Sequence, residues 1–171
     1  MTWRRAARLW SQARMNPAVR QATAADAPRV ATLLIDTRAQ FISYAAPIHT
    51  DDEVTTWVAA QLIPSGGTTV VEAQGTVVAA MHTERQGETS WITQMAVDPL
   101  FVRRGIGSLL LAHAIRTMAP PIRLFTFQAN VDARRFYCRH GFVAIEFRDG
   151  QSNEERRPDV LYELSAPAVD A

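Results

Sequence analysis

The chain contains no lysine; all 18 of its Lys+Arg side chains are arginine, a compositional habit rather than a chemical signature. It has one cysteine, Cys138, which excludes an internal disulfide and a cysteine-based metal centre, so no metal is expected and a reducing, cytoplasmic setting fits. No window approaches the roughly 18 apolar residues of a spanning helix. A charge excess is also missing: the formal net charge is +1, and from Met15 onward 14 basic side chains face 17 acidic ones. That balance gives the body of the protein no reason to bind nucleic acid. With 47% hydrophobic and 20% charged residues the composition is globular, and 171 residues suit one domain.

Four of the arginines, Arg4, Arg5, Arg8 and Arg14, lie in "MTWRRAARLWSQAR". This segment is basic and amphipathic, as a membrane-surface helix or a targeting peptide is, but it lacks the roughly 7 to 15 apolar residues of a secretory core. It reads as an extension (residues 1–14) ahead of one domain (residues 15–171), with no membrane partner.

Along that domain, Ala18 to Ala22 alternates as a short strand. Thr23 or Asp26 can cap a helix with Pro28 in its first turn, and Val30, Leu33, Leu34, Thr37 and Phe41 recur at helical spacing. A second helix is expected from about Asp51 to Leu62. Three strand-like runs follow, "TTVVEA", "TVVAAMHTER" and "TSWITQMAV", joined by short glycine-bearing turns as antiparallel hairpins require. The pattern then changes to helix (about Gly105 to Met118), strand ("IRLFTFQA"), helix (about Asp132 to His140) and two last strands, "FVAIEFRD" and "DVLYELS". A meander that passes into a βαβ half implies a mixed α/β (α+β) sheet with helices on its faces, and makes "TSWITQMAV" and "IRLFTFQA" parallel neighbours.

The stretch "VDPLFVRRGIGSLLLAHAIRTM" places two arginines and two spaced glycines before a long apolar helix. The first N–H groups of a helix have no internal partner and lie at the positive end of its dipole, where phosphate is stabilised. Gly105 and Gly107, without Cβ, let a diphosphate approach the backbone of Arg103, Arg104, Gly105, Ile106, Gly107 and Ser108. The pattern alone equally describes a tight turn with solvated arginines.

"MAVDPLFVRRGIGSLLL", followed by "NVDARRFYCRHGF", resembles the GNAT superfamily of N-acetyltransferases over most of Ala18 to Leu164. The resemblance implies a mostly antiparallel twisted sheet of six to seven strands flanked by about four helices, with a splayed parallel pair at an acetyl-CoA site. It implies a pyrophosphate loop at Arg103 to Ser108, although Val102 stands where the family usually has Gln or Arg. It implies that the backbone of Met95, Ala96 and Val97 holds the pantetheine arm, that Asn130 contacts the cofactor, and that Tyr137 protonates the leaving thiolate. Met95 and Val97 also read as core strand residues, and Tyr137 as a core aromatic.

The implied activity is acetyl transfer from acetyl-CoA to a primary amine by direct attack in a ternary complex, the acceptor being a small molecule or peptide. The alternative is a non-catalytic acyl-CoA-binding domain on the same fold. Homodimers are common in such folds. A glutamate that some members carry before the asparagine is missing, since Phe125 and Phe127 occupy that strand, so base and acceptor candidates are His49, His82 with Glu84 on one strand face, and Asn153, Glu154, Glu155 and Asp159 in the loop "DGQSNEERRPDVLY". Cys138 reads as a small residue packed in its helix, and His113 and His140 need no catalytic role.

Overall fold

A computed structural model describes residues 16–165, and the expected extension over residues 1–14 lies outside them. Seven strands, β1 (Ala18–Gln21), β2 (Thr68–Ala73), β3 (Thr76–Gln86), β4 (Thr89–Val97), β5 (Ile122–Phe127), β6 (Val143–Arg148) and β7 (Asp159–Leu164), form one sheet in the order β1-β2-β3-β4-β5-β7-β6. Every pair is antiparallel except β4 with β5. The four helices are α1 (Ala27–Phe41), α2 (Asp51–Trp57), α3 (Ile106–Thr117) and α4 (Val131–Arg139).

Local chemistry explains the element ends. Thr23 and Asp26 form a reciprocal capping box around a single 3-10 turn, after which Pro28 sits in the first turn of α1, where its missing N–H costs nothing. Thr50 and Glu53 repeat the device at α2. The helix expected to run to Leu62 keeps regular geometry only to Trp57, and Val58–Leu62 widens into a π turn closed by Ile63 N–H donating to Val58 O at 3.0 Å. Val58 and Leu62 of that turn, in line with Val54 at four-residue spacing, pack into the core.

Helices cover both faces of the sheet. On one face Ile106, Leu110, Leu111 and Ala114 of α3 and Tyr137 of α4 pack on Val71, Met81, Ile92, Leu124, Val160 and Tyr162. On the other, Val30 and Leu33 of α1 meet Val58, Leu62, Val70, Ala80 and Ala96. Phe41, expected on this apolar face, lies at the exposed end of α1. Arg20 clamps Asp26 and Glu72, which ties β1 to the entry of α1.

The parallel contact between β4 and β5 is short. Register pairs Ser90 with Ile122 and Trp91 with Arg123, and there it ends, although both strands run on for several residues. A bulge lies just beyond: His82 pairs with Gln94 and Thr83 with Ile92, leaving Thr93 of β4 with no register partner on β3. The closed end of the fork is held by Ser90, whose N–H donates to Pro121 O at 3.0 Å and whose hydroxyl donates to Ala119 O at 2.6 Å. Trp91 and Phe125 stack across the fork, with ring centroids 5.6 Å apart.

The loop between β6 and β7 depends on Gly150, which is buried with φ +89, and a Cβ there would collide with the backbone of Arg157. Gly150→Ala should therefore cost at least about 2 kcal/mol in urea unfolding, because left-handed strain and a backbone clash add; the same change at exposed Ser152 should leave the midpoint unchanged.

Candidate active site

The open end of the fork is the focus. Past Trp91, β4 pairs only with β3, and past Arg123, β5 pairs only with β7, so facing edges of both strands present backbone groups to the gap. Met95 and Val97 pack with the α3 side of the sheet and Ala96 with the α1 side, as alternation requires. Thr37 of α1 donates its hydroxyl to Val97 O at 3.2 Å, which anchors the tip of β4.

From Val97 the chain turns through Asp98, which accepts from Leu100 N–H at 2.8 Å and pairs with Arg29 of α1. Arg103 takes φ 60 and Gly105 φ 81, both left-handed, and Gly105 is the residue from which α3 starts. No side chain caps that start, so the N–H groups of its first turn are uncommitted. Arg103 and Arg104 are exposed beside it; Arg103 lies 3.8 Å from Asp132, and Arg104 stacks 5.6 Å over the Phe101 ring. The Cα of Gly107 sits against Phe136 of α4 and Met95 of β4, where a Cβ would make ordinary contacts at 3.4 and 3.5 Å, so three elements meet at this position.

α4 closes the other side. Asn130 caps it, its side-chain oxygen accepting from Ala133 N–H at 3.1 Å. Tyr137 is buried among Phe136, Phe142 and Tyr162, and its hydroxyl has only the Met95 sulfur, at 3.9 Å, to donate to. Burial pushes the phenol up to about 12. At the end of α4, His140 donates from Nδ1 to Phe136 O at 2.8 Å, and its Nε2 faces the Ser108 hydroxyl at 3.1 Å. Thus Met95 of β4, Gly107 and Ser108 of α3, and Tyr137 of α4 share one corner. The His140 link to Ser108 is invisible in the sequence, because 32 residues separate them.

The other candidates fall into two groups. His49 meets Glu154 at 3.2 Å, Arg38 meets Glu155 at 3.3 Å, and Asn153 donates to Asp159 at 2.9 Å, so the loop after β6 is tied to the end of α1 and the segment after it. His82 and Glu84 do not hydrogen-bond to each other, although Glu84 acts on His82 electrostatically. His82 is buried beneath the π turn, where Nδ1 faces the Thr68 hydroxyl at 2.9 Å and Thr68 donates to Leu62 O. Burial lowers its pKa. Glu84, where β3 runs past the helices, is exposed and accepts from Gln86. Cys138, expected to pack within its helix, is exposed because Tyr137 takes the inward position.

The comparisons with known proteins agree in kind. The profile of the acetyltransferase (GNAT) family matches residues 30–142. No curated protein matches by sequence. Among solved structures, the PaiA N-acetyltransferase of Thermoplasma acidophilum in complex with coenzyme A superposes with TM-score 0.72 at 14% identity, covering 89% of this chain and 100% of that one. A GNAT-family acetyltransferase of Bacillus cereus gives 0.70 at 16%, covering 88% and 98%. Arabidopsis thaliana Naa50 in complex with the bisubstrate analogue CoA-Ac-MVNAL gives 0.64 at 20%, covering 88% and 99%.

The Tyr137 phenol has a measurable signature. Its folded pKa lies above its unfolded value of 10, so the stability it contributes is complete below pH 10 and is lost as pH rises through 12. Wild type should lose about 2 kcal/mol more than Tyr137→Phe between pH 10 and 12, read by denaturant unfolding. At pH 7 the two should differ by less than about 1 kcal/mol, since the hydroxyl has so little to bond to.

Proposed function

The chain belongs to the acetyltransferase (GNAT) family, and from that premise we propose that it transfers the acetyl group of acetyl-CoA to a primary amine by direct attack within a ternary complex. The observation that carries this reading is the fork: a parallel pair that separates after two residue pairs, beside an uncapped helix start opened by Gly105 and Gly107. The uncapped N–H groups and left-handed turn from Arg103 to Ser108 fit a diphosphate, with Arg103 and Arg104 as mobile counter-charges. The free edge of β4 fits an extended arm that pairs with it as a strand would, through the backbone of Met95, Ala96 and Val97. Acetyl-CoA supplies the activated acyl group; the chain's own part is to hold, orient and exclude water.

Orientation contributes most. Two reactants fixed in one cleft can lower the barrier by about 7–11 kcal/mol relative to free encounter. A backbone N–H on the open edge of β4, aimed at the carbonyl oxygen as charge builds there, contributes about 3 kcal/mol more. Tyr137 then faces the departing sulfur. Because its phenol lies at about 12, full proton transfer to a thiolate of ordinary pKa, roughly 8.5, would be uphill by about 5 kcal/mol. Its role is to donate a hydrogen bond to the thiolate, a weaker task than protonation and one that a permanently protonated hydroxyl performs at every working pH. Asn130 spends its oxygen on capping α4, so only its amide N–H2 is free to face the cofactor. His82 and Glu84 have no part in this reading. The acceptor enters where the segment after α1, with His49, meets the loop between β6 and β7, with Asn153, Glu154 and Glu155. The setting is cytoplasmic.

Calorimetric titration with acetyl-CoA should give micromolar binding to wild type and none to a folded Gly105→Glu, Gly107→Glu double variant. Tyr137→Phe should bind acetyl-CoA within about twofold of wild type while kcat falls about 10- to 100-fold. Binding unaffected by the glutamates would move the cofactor elsewhere.

A further inference from the structure

His140 stands where the two helices of the cofactor corner meet, and neither the thioester nor the acceptor uses it. Its Nδ1 donates to Phe136 O at 2.8 Å, and its ring lies 4.5 Å from the Phe136 ring, centroid to centroid. That bond and that contact hold the imidazole in one orientation, with Nε2 aimed at the Ser108 hydroxyl 3.1 Å away. Ser108 is the third residue of α3. Leu109 N–H donates to Gly105 O at 2.9 Å, so the N–H groups of Ile106, Gly107 and Ser108 come before the helix's own ladder. The Ser108 hydroxyl therefore sits on the same turn as the backbone donors that fit a diphosphate.

A carbonyl oxygen only accepts, so Nδ1 carries a hydrogen and the ring has two states left to it. With Nε2 bare, the Ser108 hydroxyl gives its one hydrogen to the ring and turns only lone pairs elsewhere. With Nε2 protonated, the ring donates to Ser108 Oγ, and the hydroxyl hydrogen is released for another acceptor. The surroundings supply a charged ring with no counter-ion, since His140 is in no ion pair among the described residues. Phe101 to Thr117 holds Arg103, Arg104 and Arg116 and no carboxylate; α4 holds Arg134, Arg135 and Arg139 against the single carboxylate Asp132, which lies 3.8 Å from Arg103. Asp98, earlier in the turn, is paired with Arg29. The other titratable groups of the two helices are His113, Cys138 and Tyr137, the last pushed up to about 12. An anion at the start of α3 changes this balance, because it is both the missing counter-ion and an acceptor for the hydroxyl.

We propose, resting on the acetyl-transfer reading above, that His140 is a positioning residue of the diphosphate site, and that its Nε2 takes up a proton from solvent as the diphosphate binds. The proton adds to the Nε2 lone pair, buffer acid is its source, and no other covalent bond is made or broken. The Ser108 O–H then turns from Nε2 to a phosphate oxygen, and the imidazolium offsets part of the diphosphate charge through it. Hydrogen bonds assisted by charge in this way are the stronger kind. Linkage is reciprocal: if binding brings in a proton, added protons return as affinity, so the cofactor is held tighter on the acid side and released more easily as pH rises. The diphosphate is common to acetyl-CoA and CoA, so His140 acts on the grip of both and leaves the thioester chemistry alone.

The test uses the full chain and 3′-dephospho-CoA, whose diphosphate keeps both charges through neutral pH, so that a proton exchanged on binding belongs to the protein. Calorimetric titration in two buffers of different ionisation enthalpy, at pH 6, 7 and 8, counts those protons. We expect wild type to take up at least about 0.3 proton per ligand at one or more of these values, and to bind at least about fivefold tighter at pH 6 than at pH 8. His140→Gln keeps a donor to Ser108 Oγ but cannot titrate, so it should bind with no proton uptake and a flat pH profile. Ser108→Ala should lose at least about half of the uptake, and Ser108→Thr, which keeps the hydroxyl, should restore it. A merely structural His140 would give a lower melting temperature in His140→Gln with proton uptake and pH profile as in wild type. That result, no uptake by wild type at any of the three pH values, or an affinity that rises with pH would overturn the proposal. Should His140→Gln misfold, Ser108→Ala carries the decision, and undiminished uptake there would overturn the proposal equally. Failure of wild type to bind the probe at any pH would instead bring down the diphosphate reading of the helix start beneath it.

Discussion

The separation of β4 from β5 is the constraint on which the rest of the site depends. A sheet ordinarily satisfies every backbone group of an internal strand, and an internal strand with one open edge is an unusual thing to keep. Here Ser90 and Trp91 hold the closed end, the Thr93 bulge redirects β4, and the Trp91 and Phe125 rings stack where the strands part. The open edge survives because both strands remain paired on their outer sides and because Thr37 and the Asp98 turn anchor the tip of β4. A partner strand is in effect missing, and an extended ligand is what can supply its hydrogen bonds.

The helix start beside the fork is held by packing rather than by a cap. At Gly107 α3 packs against Met95 and Phe136, and His140 reaches back from the end of α4 to the Ser108 hydroxyl. The N–H groups of the first turn are thus left free while their positions are determined by contacts on three sides. An exposed, capped helix end would be equally stable and would offer a ligand nothing. Burial of Tyr137 belongs to the same corner: the environment that places its hydroxyl beside Met95 also keeps the phenol protonated.

Much of this was legible in the chain. β2 and β4 occupy the residues read for them, the two hairpins turn at Gln74–Gly75 and around Gly87, and the switch from meander to βαβ correctly implies a parallel pair. Glycine spacing before α3 and the Asn130 to Tyr137 interval carried the family resemblance. What misled was the two-residue period at His82 and Glu84: it correctly places both on one face, but the helical layer ends between them, so one is core and the other solvent. The helix from Asp51 ends at Leu62 as read, its last turn widening into a π turn from Val58.

The sequence by itself determined the elements, their order and the glycine-opened turn before α3, because these rest on interactions between residues close in the chain: caps, hairpin turns, glycine conformations and apolar periods. Only the tertiary structure decided that Met95, Gly107 and Tyr137 share a corner and that His140 addresses Ser108. Those juxtapositions join residues from different elements, and their geometry depends on strand register, one bulge and the edge of a helical layer. None of these leaves a local mark, because each is selected by the packing of the whole sheet.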